Sequence, residues 1–152
     1  MAKAQTAPET TLQLKRQFAA PRARVFRAWT DAKELANWFA PSPDHSTVVT
    51  ELDLRVGGKY RIEIHHKGGN VHTVTGAYRE IMPPEKVVYT WRWEADPTAH
   101  ESLVTVEFQD LGPATEVTIT HEQLPNAEER DKHNHGWVGC TDKLSKYLEE
   151  QN

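Results

Sequence analysis

Apolar and polar positions change period three times along this chain, and each change predicts a different element. Leu12 and Leu14 alternate with Gln13 and Lys15, the period of a half-buried strand that follows a polar tail over residues 1–9. From Pro21 the spacing turns helical. Val25, Phe26 and Trp29 share a stripe that Arg22, Arg24 and Arg27 largely avoid. Pro21 suits the first helical position, which needs no backbone donor. Asp31-Ala32-Lys33-Glu34 reads as a capping box for a second short helix whose apolar face is Leu35, Trp38 and Phe39. Ala40-Pro41-Ser42-Pro43 ends it, because a residue before proline avoids the helical region.

From Ser46 to Gln123 the period is two. Val48, Leu52 and Leu54 alternate with polar residues and stop at Gly57-Gly58. Tyr60, Ile62, Ile64 and His66 make the next inward set. Lys67-Gly68-Gly69-Asn70 then predicts a hairpin, and a two-residue Gly68-Gly69 turn places His65 opposite His72. Val71 to Ile81 continues as a strand whose inward face the pattern leaves open. Val87, Tyr89, Trp91 and Trp93 form a further set, followed by Val104, Val106 and Phe108, then Val117, Ile119 and His121. Connections this short demand antiparallel neighbours. Beyond Pro125 the helical period returns, with Asn126 as cap and Glu129 at the third position. Trp137, Thr141, Leu144 and Leu148 line one face, with Cys140 and Tyr147 at its edges. About 24 residues of helix would run roughly 36 Å, enough to cross a sheet. Gly136 and Gly139 in its middle read as close approach to the sheet, a bend, or space left for a ligand.

The element order predicts an α+β fold. A curved seven-stranded antiparallel sheet wraps a long C-terminal helix, and two short helices after the first strand plug one end, in one domain over residues 10–152. The 152 residues have a mean hydropathy of −0.70, yet five Trp, four Tyr and four Phe argue against disorder. Cys140 has no second cysteine to pair with, which suits a reducing cytosol. A net charge of −4 exerts no global pull on nucleic acid. No apolar run approaches the roughly 20 residues of a membrane span, and Met1–Glu9 lacks the apolar core of a secretory signal. A cytoplasmic protein is expected, monomeric or weakly dimeric, with no nucleic-acid or membrane partner.

The residues from Phe18 to Asp31, followed by Trp38-Phe39-Ala40-Pro41, resemble the opening of the START-like helix-grip superfamily, also called SRPBCC or Bet v 1-like. More narrowly they resemble the family named for the activator of heat-shock protein 90 ATPase, in its C-terminal domain. Asp53–Arg61, Gly76–Trp91, and Gly136-Trp137 with Leu144 and Leu148 extend the resemblance over nearly all of residues 10–150. It implies a cavity between sheet and terminal helix, and members that bind or transform hydrophobic small molecules. The eukaryotic activators of the family carry a separate N-terminal chaperone-binding domain, which is not expected in a chain of this length. The expected role is therefore that of a stand-alone, bacterial-type member binding a small hydrophobic or aromatic molecule. A cyclase- or hydrolase-type enzyme using the same cavity is one alternative. A chaperone-cofactor or stress-response module that binds a protein partner is another.

The candidate cavity lining is Tyr60, Ile62, Ile64, Tyr89, Trp91, Trp93, Val106, Phe108, Ile119 and His121 from the sheet, with Trp137, Cys140 and Thr141 from the helix. A concave apolar surface with few polar groups is what small-molecule sites look like, and an ordinary packed core competes with that reading. His121 is the sharpest polar candidate. In an inward slot it could orient a ligand carbonyl or act as a base near neutral pH, or simply be a hydrogen-bonded strand end. Eight histidines prompt a search for metal ligands. His65 and His72 lack a third partner, His133 and His135 diverge on a helix, and His121-Glu122 fails as a zinc-protease motif. His133 and Cys140 lie about 10.5 Å apart along a helix, so a thiol dyad would need another histidine, such as His121 from the sheet. No phosphate-cradling glycine loop or nucleophile elbow occurs, and no cofactor is expected. Lys15, Arg16, Arg22, Arg24 and Arg27 could meet an acidic partner but read first as a solvated face.

Overall fold

The computed structural model describes residues 8–150. The tail expected over residues 1–9 lies outside them except for Pro8 and Glu9, which enter a 3-10 turn at Pro8–Thr10. Strand β1 (Leu12–Phe18) leads into helices α1 (Arg22–Thr30) and α2 (Ala32–Trp38). Six strands follow: β2 (His45–Leu52), β3 (Lys59–His66), β4 (Val71–Met82), β5 (Lys86–Trp93), β6 (Ser102–Asp110) and β7 (Thr115–Glu122). Helix α3 (Ala127–Glu150) closes the chain. The strands form one antiparallel sheet in the order β1-β7-β6-β5-β4-β3-β2, so β1 and β2 are its edges. The expected helix-grip architecture is present, with α3 laid on the sheet's inner face. Its 24 residues bury Trp137, Cys140, Thr141, Leu144 and Leu148, and Asn126 Oδ1 accepts from the Glu129 backbone N–H at 2.9 Å to cap it.

The structure departs from the sequence pattern in four places. Pro21 stands just before α1 rather than inside it; its carbonyl accepts from the backbone N–H groups of Arg24 and Val25. The capping box of α2 does not form, because Asp31 makes no side-chain cap. Glu34 is drawn away by Arg24 at 2.6 Å, Arg27 at 2.8 Å and the Tyr147 hydroxyl at 3.0 Å. Burial raises its carboxyl pKa, but those hydrogen bonds outweigh burial and hold it below the usual range. One carboxylate thus ties α1, α2 and α3 together. The neighbouring Arg16 bonds to Thr141 and Asp142 of α3, so three of the five basic residues serve contacts within the chain.

On β2, a bulge between Val49 and Glu51 sets the phase, so Thr47 is buried and Val48 lies 46% exposed. Leu54, beyond the strand, is exposed too. The β3–β4 turn spans Lys67 to Gly69, with Gly69 at φ +107°, a left-handed conformation that suits glycine. His65 therefore pairs with Val71, and His72 pairs with Ile64. The one-residue difference moves His72 to the inner face and separates it from His65, which bonds Glu63 instead.

Candidate functional site

The inner face has two regions. Beneath α1 and α2 the rings interlock: Phe26 packs edge-on against Phe108 at 5.2 Å, and Trp29 lies 4.7 Å from Trp38 and 5.8 Å from Phe108. Tyr60, Tyr78 and Tyr89 continue the packing. What remains is a void of about 20 Å³ bounded by Trp29, Leu35, Phe39, Tyr60, Ile62, Tyr78, Tyr89 and Trp91.

Toward the start of α3 the same residue types border open space. A cavity of about 390 Å³ lies between β3–β5 and the first half of α3. Phe39, Ile64, Trp91, Trp93, Trp137 and Cys140 give it apolar walls, and His72, Glu129, Lys132, His133 and His135 form much of its rim. Gly136 faces this space, and a methyl group there would meet nothing within 4 Å. Gly139, three residues on, is pressed against the Pro41 backbone: a β-carbon would sit 1.8 Å from that carbonyl oxygen. The two glycines therefore divide the alternatives. One permits close approach, to the loop after α2 rather than to the sheet, and the other leaves room. On the far side of Trp91, Trp93 and His133 lies a second, more polar cleft of about 360 Å³ that includes Asp96, His100 and Ser102.

Two histidines, His121 behind the walls and His133 at the rim, are fixed by indole donors. Trp137 Nε1–H donates to His121 Nδ1 at 3.1 Å. That nitrogen must keep its lone pair, so His121 carries its proton on Nε2 and donates to Ser102 Oγ at 2.7 Å. Ser102 in turn donates to the Trp91 carbonyl at 3.3 Å. Trp93 Nε1–H likewise donates to His133 Nε2 at 3.1 Å, leaving Nδ1–H to donate to the Glu129 carbonyl at 2.7 Å. The imidazole rings lie 5.0 Å apart. Burial pushes the His121 pKa well below the usual histidine value, and proximity to His133 adds to this. His133 is lowered as well, chiefly by burial. A second proton on either ring would point at an indole N–H.

Of the sequence-derived candidates, Ile64, Trp91, Trp93, Trp137 and Cys140 meet at the open cavity. Tyr60, Ile62 and Tyr89 border the small inner void. Val106, Ile119 and Thr141 are wholly buried in the core, and Phe108 is covered by α1. His121 sits behind Trp91 and Trp137 with both nitrogens engaged, so it offers no free base. Burial pushes the Cys140 thiol up to about 12, which leaves it unreactive near neutral pH. Sequence reasoning missed Phe39, His72 and the rim of α3. The step of four from His133 to Trp137, one face of a helix, was the available signal. Among the described residues no group of three His, Cys, Asp or Glu is placed to hold a metal ion, and no helix is long and apolar enough to cross a membrane.

Comparison with known proteins bears on this geometry. The model of the family described as Activator of Hsp90 ATPase homolog 1-like protein matches residues 19–149. The chain belongs to this family. Among solved structures of similar fold, a Chromobacterium violaceum protein is 30% identical with a TM-score of 0.85, the alignment covering 92% of this chain and 97% of that one. A protein named AHSA1 from Silicibacter pomeroyi is 25% identical with a TM-score of 0.81, over 93% and 99% of the two chains. The human protein named Activator of 90 kDa heat shock protein ATPase homolog 1 is 27% identical over 130 residues, 86% of this chain. That stretch is 34% of the human protein, so the chain spans about a third of this relative.

Proposed function

We propose that this member of the activator of Hsp90 ATPase homolog 1-like family binds a small hydrophobic or aromatic molecule between β3–β5 and the first half of α3. The observation that carries the reading is the 390 Å³ cavity whose walls are three indoles, a phenylalanine and an isoleucine. Small-molecule sites commonly occupy about 300–1,000 Å³, with apolar walls and a few polar groups. A core that served packing alone would close such a space, as the region under α1 and α2 does. The test is a thermal-shift screen of bicyclic aromatics and medium-chain fatty acids, followed by tryptophan fluorescence titration of the hits. A ligand at a hundred times its Kd adds about 2.7 kcal/mol of stability. For a domain of this size that raises Tm by roughly 5–10 °C. A panel that moves neither Tm nor fluorescence would count against the reading.

The family relationship supports a second reading, a module that docks on an Hsp90-type chaperone. Only a third of the human relative corresponds to this chain, so its activity does not transfer automatically. A chaperone ATPase assay and a pull-down at micromolar protein test it. Stimulation or a complex would support it, and the absence of both would remove it.

A further inference from the structure

Two open spaces meet at one pair of side chains. Trp91, Trp93, Glu129 and His133 border both the cavity of about 390 Å³ and the cleft of about 360 Å³ beyond it. Trp91 is buried, whereas Trp93 and His133 are only half-buried. Trp93 is the last residue of β5, and His133 lies in the second turn of α3. The Trp93 indole N–H donates to His133 Nε2 at 3.1 Å, so strand and helix are joined here through side chains alone. Both ends of the link are braced. Trp91 stands edge-on to the Trp93 ring at 5.5 Å, His72 lies 6.2 Å from it, and His133 Nδ1–H is held by the Glu129 carbonyl at 2.7 Å. Breaking the link would leave a half-buried donor and acceptor without each other, which favours keeping it closed. Leu124 and Pro125 offer apolar surface on the cleft side, beside Asp96 and His100.

We propose that the Trp93–His133 pair sets the reach of the binding site. It divides one groove in two and stops bound molecules at the cavity, so the ligands are compact aromatic compounds rather than long-chain lipids. This rests on the cavity being a binding site. An alkyl chain that grows toward the pair must turn out into water, and a methylene left in water gains nothing from the protein. With the pair removed, the same chain would run on against Leu124 and Pro125.

The test is a calorimetric titration of wild type, Trp93→Ala and His133→Ala with 4-alkylphenols whose chains lengthen from ethyl to heptyl. Leu124 methyl resonances are followed in parallel, because Leu124 borders the cleft and not the cavity. In wild type, affinity should rise with chain length and then level off, with Leu124 unmoved. In the variants it should keep rising, by roughly fourfold for each methylene buried, and the longer phenols should shift Leu124. Should Trp93→Ala fold poorly, as urea unfolding would show, His133→Ala makes the same comparison from the helix side. Variants that level off at the same chain length as wild type would overturn the partition while leaving the cavity as a binding site. So would a wild-type affinity that climbs to heptyl with Leu124 shifting, which would mean that the pair does not divide the groove. Binding of no phenol to any of the three proteins would remove the partition and count against the cavity reading as well.

Discussion

The two ends of the inner face are built from the same materials and finish in opposite states. Under α1 and α2, Trp29, Trp38, Phe26 and Phe108 fill one another's gaps until about 20 Å³ is left. Near the start of α3, Trp91, Trp93 and Trp137 stand around about 390 Å³. The difference lies in what covers them. Two short helices send rings into the first region, whereas the second is roofed by a helix that presents Gly136. Aromatic content therefore does not distinguish a pocket from a core; the covering element does.

The largest expected effect comes from breaking the filled end. Trp38 is fully buried and its indole N–H donates to the Ala28 carbonyl at 2.9 Å. Trp38→Ala should cost about 3–5 kcal/mol by urea unfolding. A cost below 1 kcal/mol would mean that this end is looser than described.

Gly139→Ala comes next. Its β-carbon would strike the Pro41 backbone, which has no rotamer with which to yield, so a loss of about 1–3 kcal/mol is expected. Neutral behaviour would show that the loop after α2 can retreat.

The histidines give the third effect. Their folded-state pKa values are depressed relative to an unfolded value near 6.5. Above that pH both states are neutral and nothing is lost. As pH falls through 6.5 the unfolded chain takes up protons that the folded chain refuses, so stability declines until the folded pKa is reached. The slope is about 1.4 kcal/mol per pH unit for each histidine in that window. His133→Gln should reduce it by one histidine's share, as denaturant melts at pH 7.5 and 5.5 would show; an unchanged slope would mean that His133 is not held neutral.

The smallest effect sharpens the contrast. Gly136→Ala meets nothing within 4 Å and replaces a poor helix former, so it should stabilise by up to about 1 kcal/mol while Gly139→Ala destabilises. Thermal melts of the pair check the opposite signs. The same sign for both would remove the distinction between the two glycines.

Much of the fold was legible because periodicity reports which face is buried. Val117, Ile119 and His121 are fully buried as their alternation implied, and Asn126 with the Trp137–Leu148 stripe defined α3. The readings failed where a single residue of register decides. A bulge turned Val48 outward, and a turn one residue longer than a tight hairpin put His72 rather than His65 on the inner face. The site was less legible than the fold. Alternation identifies inward residues without saying which are covered, so Val106, Phe108 and Ile119 looked equivalent to Trp91 and Trp93. His121 had the position of a functional residue, but two tertiary hydrogen bonds occupy it, and neither partner is near in sequence.

The proposed binding site is the space beside Gly136. The direct measurement is a calorimetric titration of wild type and Gly136→Leu with 2-naphthol, alongside urea unfolding of both. Saturable one-site binding is expected in wild type, weakened more than about tenfold in Gly136→Leu, whose side chain occupies the cavity while folding stability is retained. Equal affinity in the two proteins, or no binding to either, would contradict it.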